Sequence, residues 1–130
     1  MNYSVINKVS FYGMMLFYFG AGVNHFINPE FYLPLIPDYL PEPQIINLIS
    51  GLAEMAFAVM LLFQATRRWA ALGIVLMLVA FVPAHVHFIT AGHCLGTLCV
   101  PPWLGWARLL IIHPVLIWWA WKARGFTEAV

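Results

Sequence analysis

Polar residues are sparse along this chain, and where they occur they cluster. Between the clusters lie four long apolar stretches, at about 5–26, 45–63, 69–89 and 103–121, the first interrupted near its start by Asn7, Lys8 and Ser10. Each approaches the roughly 20 residues that an α-helix needs to cross a bilayer. None carries the continuous polar face of a helix on the surface of a water-soluble domain. The pattern predicts an all-α protein, a transmembrane four-helix bundle of antiparallel up-down topology, forming a single domain over residues 1–130. Small residues suited to close helix contact recur on three of the stretches, among them Gly22, Gly51, Ala58, Ala70 and Gly73.

Composition sharpens this picture. The chain is 63% hydrophobic and 8% charged, against about 25% charged in a typical soluble domain. A soluble protein of this size has too much surface for its volume to hide so many large apolar side chains. Bulky aromatics in Phe17–Phe26 stand where a signal-peptide cleavage site would need small residues, so the first stretch reads as a retained helix. A formal net charge of +1, with no basic run, gives no sign of a nucleic-acid partner. Charge is distributed unevenly, however. Lys8, Arg67, Arg68, Lys122 and Arg124 fall on the side shared by the termini, whereas the loops 28–44 and 90–102 hold Glu30, Asp38 and Glu42 and no Lys or Arg. Basic residues in short loops favour the cytoplasmic face, which predicts a multi-pass inner-membrane protein with both termini cytoplasmic.

The first outer loop, NPEFYLPLIPDYLPEPQ, has five prolines, at positions 29, 34, 37, 41 and 43. They exclude a long helix. Aromatic and aliphatic residues interleaved with them suit either a lid folded over the outer end of the helices or a stiff connector. The most informative residues are those in the wrong solvent. Glu54 falls near the middle of the second stretch, where a lipid-facing carboxylate would cost several kcal/mol, so it is expected to face inward with a partner. Arg108 is the favoured partner, and His25 is the next. His85, near the outer end of the third stretch, and His113, deep in the fourth, complete a candidate ligand-binding set of Glu54, Arg108, His25, His85 and His113. His85 and His87 are about 200° apart on a helix, so both cannot face inward unless Pro83 distorts the turn. Pro114 deprives the Leu110 carbonyl of its backbone donor, and His113 is placed to stabilise the resulting kink.

Both cysteines lie in the second outer loop, in the stretch CLGTLC from Cys94 to Cys99. The spacing fits neither a CxxC redox centre nor the CxxCH of haem attachment. A structural disulfide is the first reading, ahead of a redox-active pair. A metal site with His93 ranks last, because paired cysteines are no longer thiolate ligands.

The run from Phe17 to His87 resembles the DoxX-like membrane proteins. The resemblance is carried by HFxxPxFY (His25–Tyr32), YLPxP (Tyr39–Pro43), SGxxE (Ser50–Glu54), TRxxA (Thr66–Ala70) and Phe81-Val82-Pro83-Ala84 in place of FPA. It implies a four-helix integral membrane protein from a family named after a subunit associated with a thiosulfate:quinone oxidoreductase, with more distant relatives linked to redox-stress complexes or to membrane-protein assembly. Two functions follow as expectations. One is a quinone-linked redox subunit, in which His and Arg donate to the quinone carbonyls, Glu54 carries a proton, and Tyr18, Phe19 and Trp106 pack on the ring. Its electrons would come from a redox partner subunit, since no nucleotide, flavin or iron–sulfur pattern is present. Haem held by two histidines ranks behind quinone, because no pair matches in depth. The other function is a non-enzymatic structural or assembly factor, working with membrane lipids and a homo-oligomer or partner protein. A transporter ranks third, because no paired broken-helix repeats are visible.

Overall fold

The computed structural model describes residues 3–127. The elements are α1 (Tyr3–Ile27), α2 (Pro29–Tyr32), α3 (Pro43–Leu61), α4 (Gln64–Ala80), α5 (Val82–Thr90), a two-stranded hairpin of β1 (Cys94–Leu95) and β2 (Leu98–Cys99), α6 (Pro102–Ala107) and α7 (His113–Ala123). α4 and α5 form one rod, Gln64–Thr90, kinked at Phe81, and α6 and α7 form another, Pro102–Ala123. Counted as rods, the fold has five helices. Three of them, Pro43–Leu61, Gln64–Thr90 and Pro102–Ala123, are long and apolar enough to cross a membrane, as in a multi-pass membrane protein. Leu76, Trp69 and Leu110, among others, point outward, which suits lipid and not water.

Successive long helices run antiparallel. α1 buries Phe11, Met14, Tyr18, Gly22 and His25, at steps of three and four that trace one helix face. α3 answers with Asn47, Gly51, Glu54, Ala58 and Leu61. The two meet at Gly22 and Gly51, where a Cβ on Gly22 would lie 2.7 Å from the Gly51 carbonyl oxygen and one on Gly51 would lie 2.9 Å from that of Gly22. Only glycine permits this approach. Toward the end bearing the chain termini, the core is apolar, built from Phe11, Met14, Leu61, Ile74 and the alanines 70, 71, 120 and 123. At the opposite end, which carries the hairpin, buried polar groups replace it.

Two helix irregularities set the site. Pro114 has no N–H to offer Leu110, and the chain passes through a π-helical segment, Arg108–Ile112, in which the His113 N–H donates to the Arg108 carbonyl. Pro83 accompanies the kink at Phe81 in the neighbouring rod. His113 bridges the two irregularities: its Nε2 bonds the Leu78 carbonyl oxygen, one turn before that kink. The sequence placed His113 at a kink in its own helix; its bond goes to the adjacent one.

The connection between the second and third apolar stretches is shorter than expected. α4 begins at Gln64, so Ala65–Arg68 belong to its first turn and only Leu62 and Phe63 link it to α3. Thr66 and Arg67 account for this. Thr66 Oγ1 donates to the Met60 carbonyl (2.7 Å), and Arg67 Nε donates to that of Leu61 (2.9 Å). Side chains of one helix thus satisfy carbonyls left open at the end of the previous one. Arg67 is buried, so it does not reach toward headgroups as the sequence suggested.

Candidate functional site

The candidate site grows from His25, the last buried residue of α1. Asn47 Nδ2 donates to the His25 carbonyl oxygen (3.0 Å), which turns Asn47 Oδ1 toward the ring. His25 Nδ1 therefore carries a hydrogen and donates across 2.7 Å. That leaves Nε2 for Glu54, whose Oε2 lies 3.5 Å away. Both side chains are buried, and an isolated charge there is costly. Either a neutral acid faces a neutral imidazole or a carboxylate faces an imidazolium; in both states the pair holds one proton and no net charge.

Tyr32 closes over this pair. Its ring stacks on His25, with centroids 3.7 Å apart and planes at 18°. Its hydroxyl accepts from Asn24 Nδ2 (2.8 Å), and Asn24 Oδ1 in turn accepts from Asn28 Nδ2 (2.6 Å). Burial pushes the Tyr32 phenol above its ordinary range, an effect that the Asn24 hydrogen bond partly offsets, so it stays a neutral hydroxyl. Of the two readings of the proline-rich loop, the lid is the one adopted: α2 and the 3-10 turn Leu33–Leu35 fold back, and Leu35 is buried.

Beneath the lid is a cavity of about 150 Å³ lined by His25, Tyr32, Leu35, Ile36, Asn47, Ser50, Glu54, Phe81, Ala84, His85 and Arg108. Four of the five expected site residues meet there. His113 does not line it; it sits behind His85, ring against ring at 4.5 Å and 65°. The expected Glu54–Arg108 ion pair is not formed. Arg108 opens the π-helical segment, which shifts the helix out of regular phase, and its guanidinium lies 5.2 Å over the Phe88 ring. No carboxylate lies within salt-bridge distance of it among the described residues. Nor do Tyr18, Phe19 and Trp106 line the cavity. Tyr18 is in the core, while Phe19 and Trp106 face outward. The ring-sized walls come from Tyr32, Leu35, Ile36 and Phe81. Of the His85 and His87 pair, only His85 reaches the cavity.

Glu54 Oε2 has no hydrogen-bond partner within the described residues. The cavity therefore presents one unsatisfied carboxyl oxygen and one guanidinium without a counter-charge. Among the described residues, no cluster of three or more His, Cys, Asp or Glu side chains is arranged to hold a metal ion.

Beside the cavity, the hairpin pairs Cys94 with Cys99 and Leu95 with Leu98, and the two cysteines form a disulfide. Gly96 has φ +60°, the glycine position of a type II′ two-residue turn. Gly92 and His93 also adopt positive φ, turning the chain out of α5. This buries the His93 ring between Phe88 and Gly105, where a Cβ would overlap Nδ1. The disulfide closes a loop of only a few residues, worth about 2 kcal/mol or less. Replacing both cysteines with serine is expected to speed hydrogen exchange over residues 92–101 while the melting midpoint shifts by only a few degrees. A collapse of the whole fold would contradict this.

Fold and site together define a small helical protein with three helices suited to a bilayer and a polar cavity at one end. The chain belongs to the family described as a domain of unknown function, DUF8561, which matches residues 14–124. Comparison with curated proteins and with solved structures finds no match.

Proposed function

We propose that the protein crosses the bacterial inner membrane four times, with both termini cytoplasmic, and that its cavity receives the ring of a quinone on behalf of a redox partner subunit. α1 serves as the fourth span: it is 25 residues long, about 37 Å at the usual helical rise, and has no Lys, Arg, Asp or Glu after Lys8. The basic residues at the terminal end favour the cytoplasmic orientation.

The observation that carries the reading is the pairing of cavity size with cavity chemistry. About 150 Å³ is the size of cavity that accepts a single six-membered ring. A quinone needs a donor at a carbonyl, a proton source and apolar walls. Arg108 supplies a donor without a counter-charge, the His25–Glu54 pair holds a proton, and Tyr32, Leu35, Ile36 and Phe81 provide the walls. Ser50 is a second hydroxyl donor on the same wall as Glu54. A bound quinone would accept electrons from the partner and protons from this chain. The resemblance of residues 17–87 to DoxX-like proteins points the same way.

Titration of the detergent-solubilised protein with a short-tailed quinone tests the reading. Saturable one-to-one binding is expected, weakened about tenfold or more in Arg108→Gln through loss of a charged hydrogen bond. Absence of saturable binding by folded protein would remove the quinone. The alternative, a structural or assembly factor, would then be favoured by the exposed Tyr39, Leu98 and Trp103 of the outer loops and the start of α6.

A further inference from the structure

At the terminal end, between the first turns of α1 and the last turns of α7, lies a second and larger cleft of about 570 Å³. Its frame is firmly built. Trp119 Nε1 donates to Ser10 Oγ (2.9 Å), tying α7 to α1. Phe126 stacks on Phe11 with centroids 4.3 Å apart and planes at 9°, and its carbonyl oxygen accepts from Arg67. Two cations line the cleft, Lys8 and Lys122, and no acidic side chain does. Lys122 Nζ lies 5.0 Å over the Trp118 ring. Neither ammonium has a carboxylate within salt-bridge distance among the described residues. Glu30, Asp38, Glu42 and Glu54, the acidic residues described, all belong to the other half of the molecule.

Two unpaired cations with indole rings beside them, at the end of membrane-length helices, make a site for an anion held at the headgroup level. Tryptophan favours that level, and lysine extends its ammonium there from an apolar stem. Apolar side chains, among them Ile6 and Trp118, continue the cleft along the helices. A soluble anion would leave that surface bare, whereas acyl chains would cover it. We propose that the cleft binds one anionic phospholipid, its phosphate between Lys8 and Lys122 and its acyl chains against α1 and α7. This inference rests on the membrane placement above and not on the quinone reading.

Native mass spectrometry of the full chain in mild detergent tests it, with phosphatidylglycerol and phosphatidylcholine offered in equal amounts. Retention of one phosphatidylglycerol in preference to phosphatidylcholine is expected. A lysine near an anionic lipid surface contributes about fivefold in binding, so K8Q/K122Q should lose about 25-fold. R124Q is the control: Arg124 stacks on Trp121 at 3.6 Å, outside the cleft, so its loss should barely alter retention. Thermal melting of each variant establishes that it is folded. Equal retention of the two lipids overturns the proposal, as does an R124Q loss matching that of K8Q/K122Q, which would mean general surface charge. Displacement of the lipid by excess inorganic phosphate overturns it too, since the cleft would then be an ion site. Failure of the membrane placement is read separately, by extraction of the protein from membranes without detergent.

Discussion

Arg67→Ala is expected to be the most destabilising single substitution in the protein, costing about 3 kcal/mol or more. The guanidinium donates to the carbonyls of Leu61 (2.9 Å), Phe126 (3.1 Å) and Leu62 (3.4 Å). It also lies 4.8 Å over the Phe11 ring and 5.3 Å from that of Phe126. Its removal orphans carbonyl groups at the end of α3 and releases the chain after α7. Hydrogen bonds from a charged donor contribute about 1.5–3 kcal/mol each, and buried acceptors left open add a penalty. Lysine should rescue little, because one ammonium cannot span three acceptors fixed by a planar fork. The measurement is the unfolding midpoint in mild detergent against Arg68→Ala, whose side chain is exposed. Equal midpoints for the two variants would show that the clamp contributes nothing.

Glu54→Gln should behave in the opposite way, keeping stability and losing function. His25 Nδ1 is committed to Asn47, so Nε2 of the neutral ring can accept a hydrogen bond from a glutamine amide in place of the acid. Arg108 is supported by Phe88 and makes no ion pair with Glu54, so no cation is stranded. The stability change is expected to stay within about 1 kcal/mol. The shared proton, however, is gone. Quinone binding should weaken, and any proton exchange that accompanies it should vanish, at unchanged protein yield. The readouts are a thermal midpoint, a quinone titration and a pH-indicator signal on binding. A loss of several kcal/mol would instead make Glu54 a structural ion-pair member, and unchanged binding with unchanged proton exchange would remove it from the site.

The sequence was most legible where it broke its own apolar pattern. Glu54 and His25 are polar groups in otherwise apolar runs, and burial against each other follows from the cost of exposing them to lipid. Their placement beside His85 and Arg108 was also foreseeable, since all four fall toward one end of their stretches. The partner of Glu54 was not, because helical phase was counted on an unbroken α-helix and the π-helical segment at Arg108 alters it. Arg67 was misread for a different reason: charge in a short connection ordinarily means solvent, and nothing local reveals that three carbonyls converge on it. The ring-packing residues failed because a membrane helix is apolar on every side. Periodicity then cannot separate lipid-facing Phe19 from buried Tyr18. Small residues such as Gly22 and Gly51 mark the contact faces better than hydrophobicity does.

The π-helical segment also constrains how the chain can change over time. Leu110, Ile111 and Ile112 are exposed and touch little of the protein, so their identities are free to drift among apolar residues. Their number is not. Deleting one would restore a plain α-helix and turn everything after it by about 100° around the axis. Ala120 and Ala123, now buried against the core, would swing outward, and bulky tryptophans would take their place. The His113 bond to Leu78 would be lost in the same step. Here the length of a segment is under selection while its spelling is not, and substitutions across Leu110–Ile112 should be tolerated where a single-residue deletion is not.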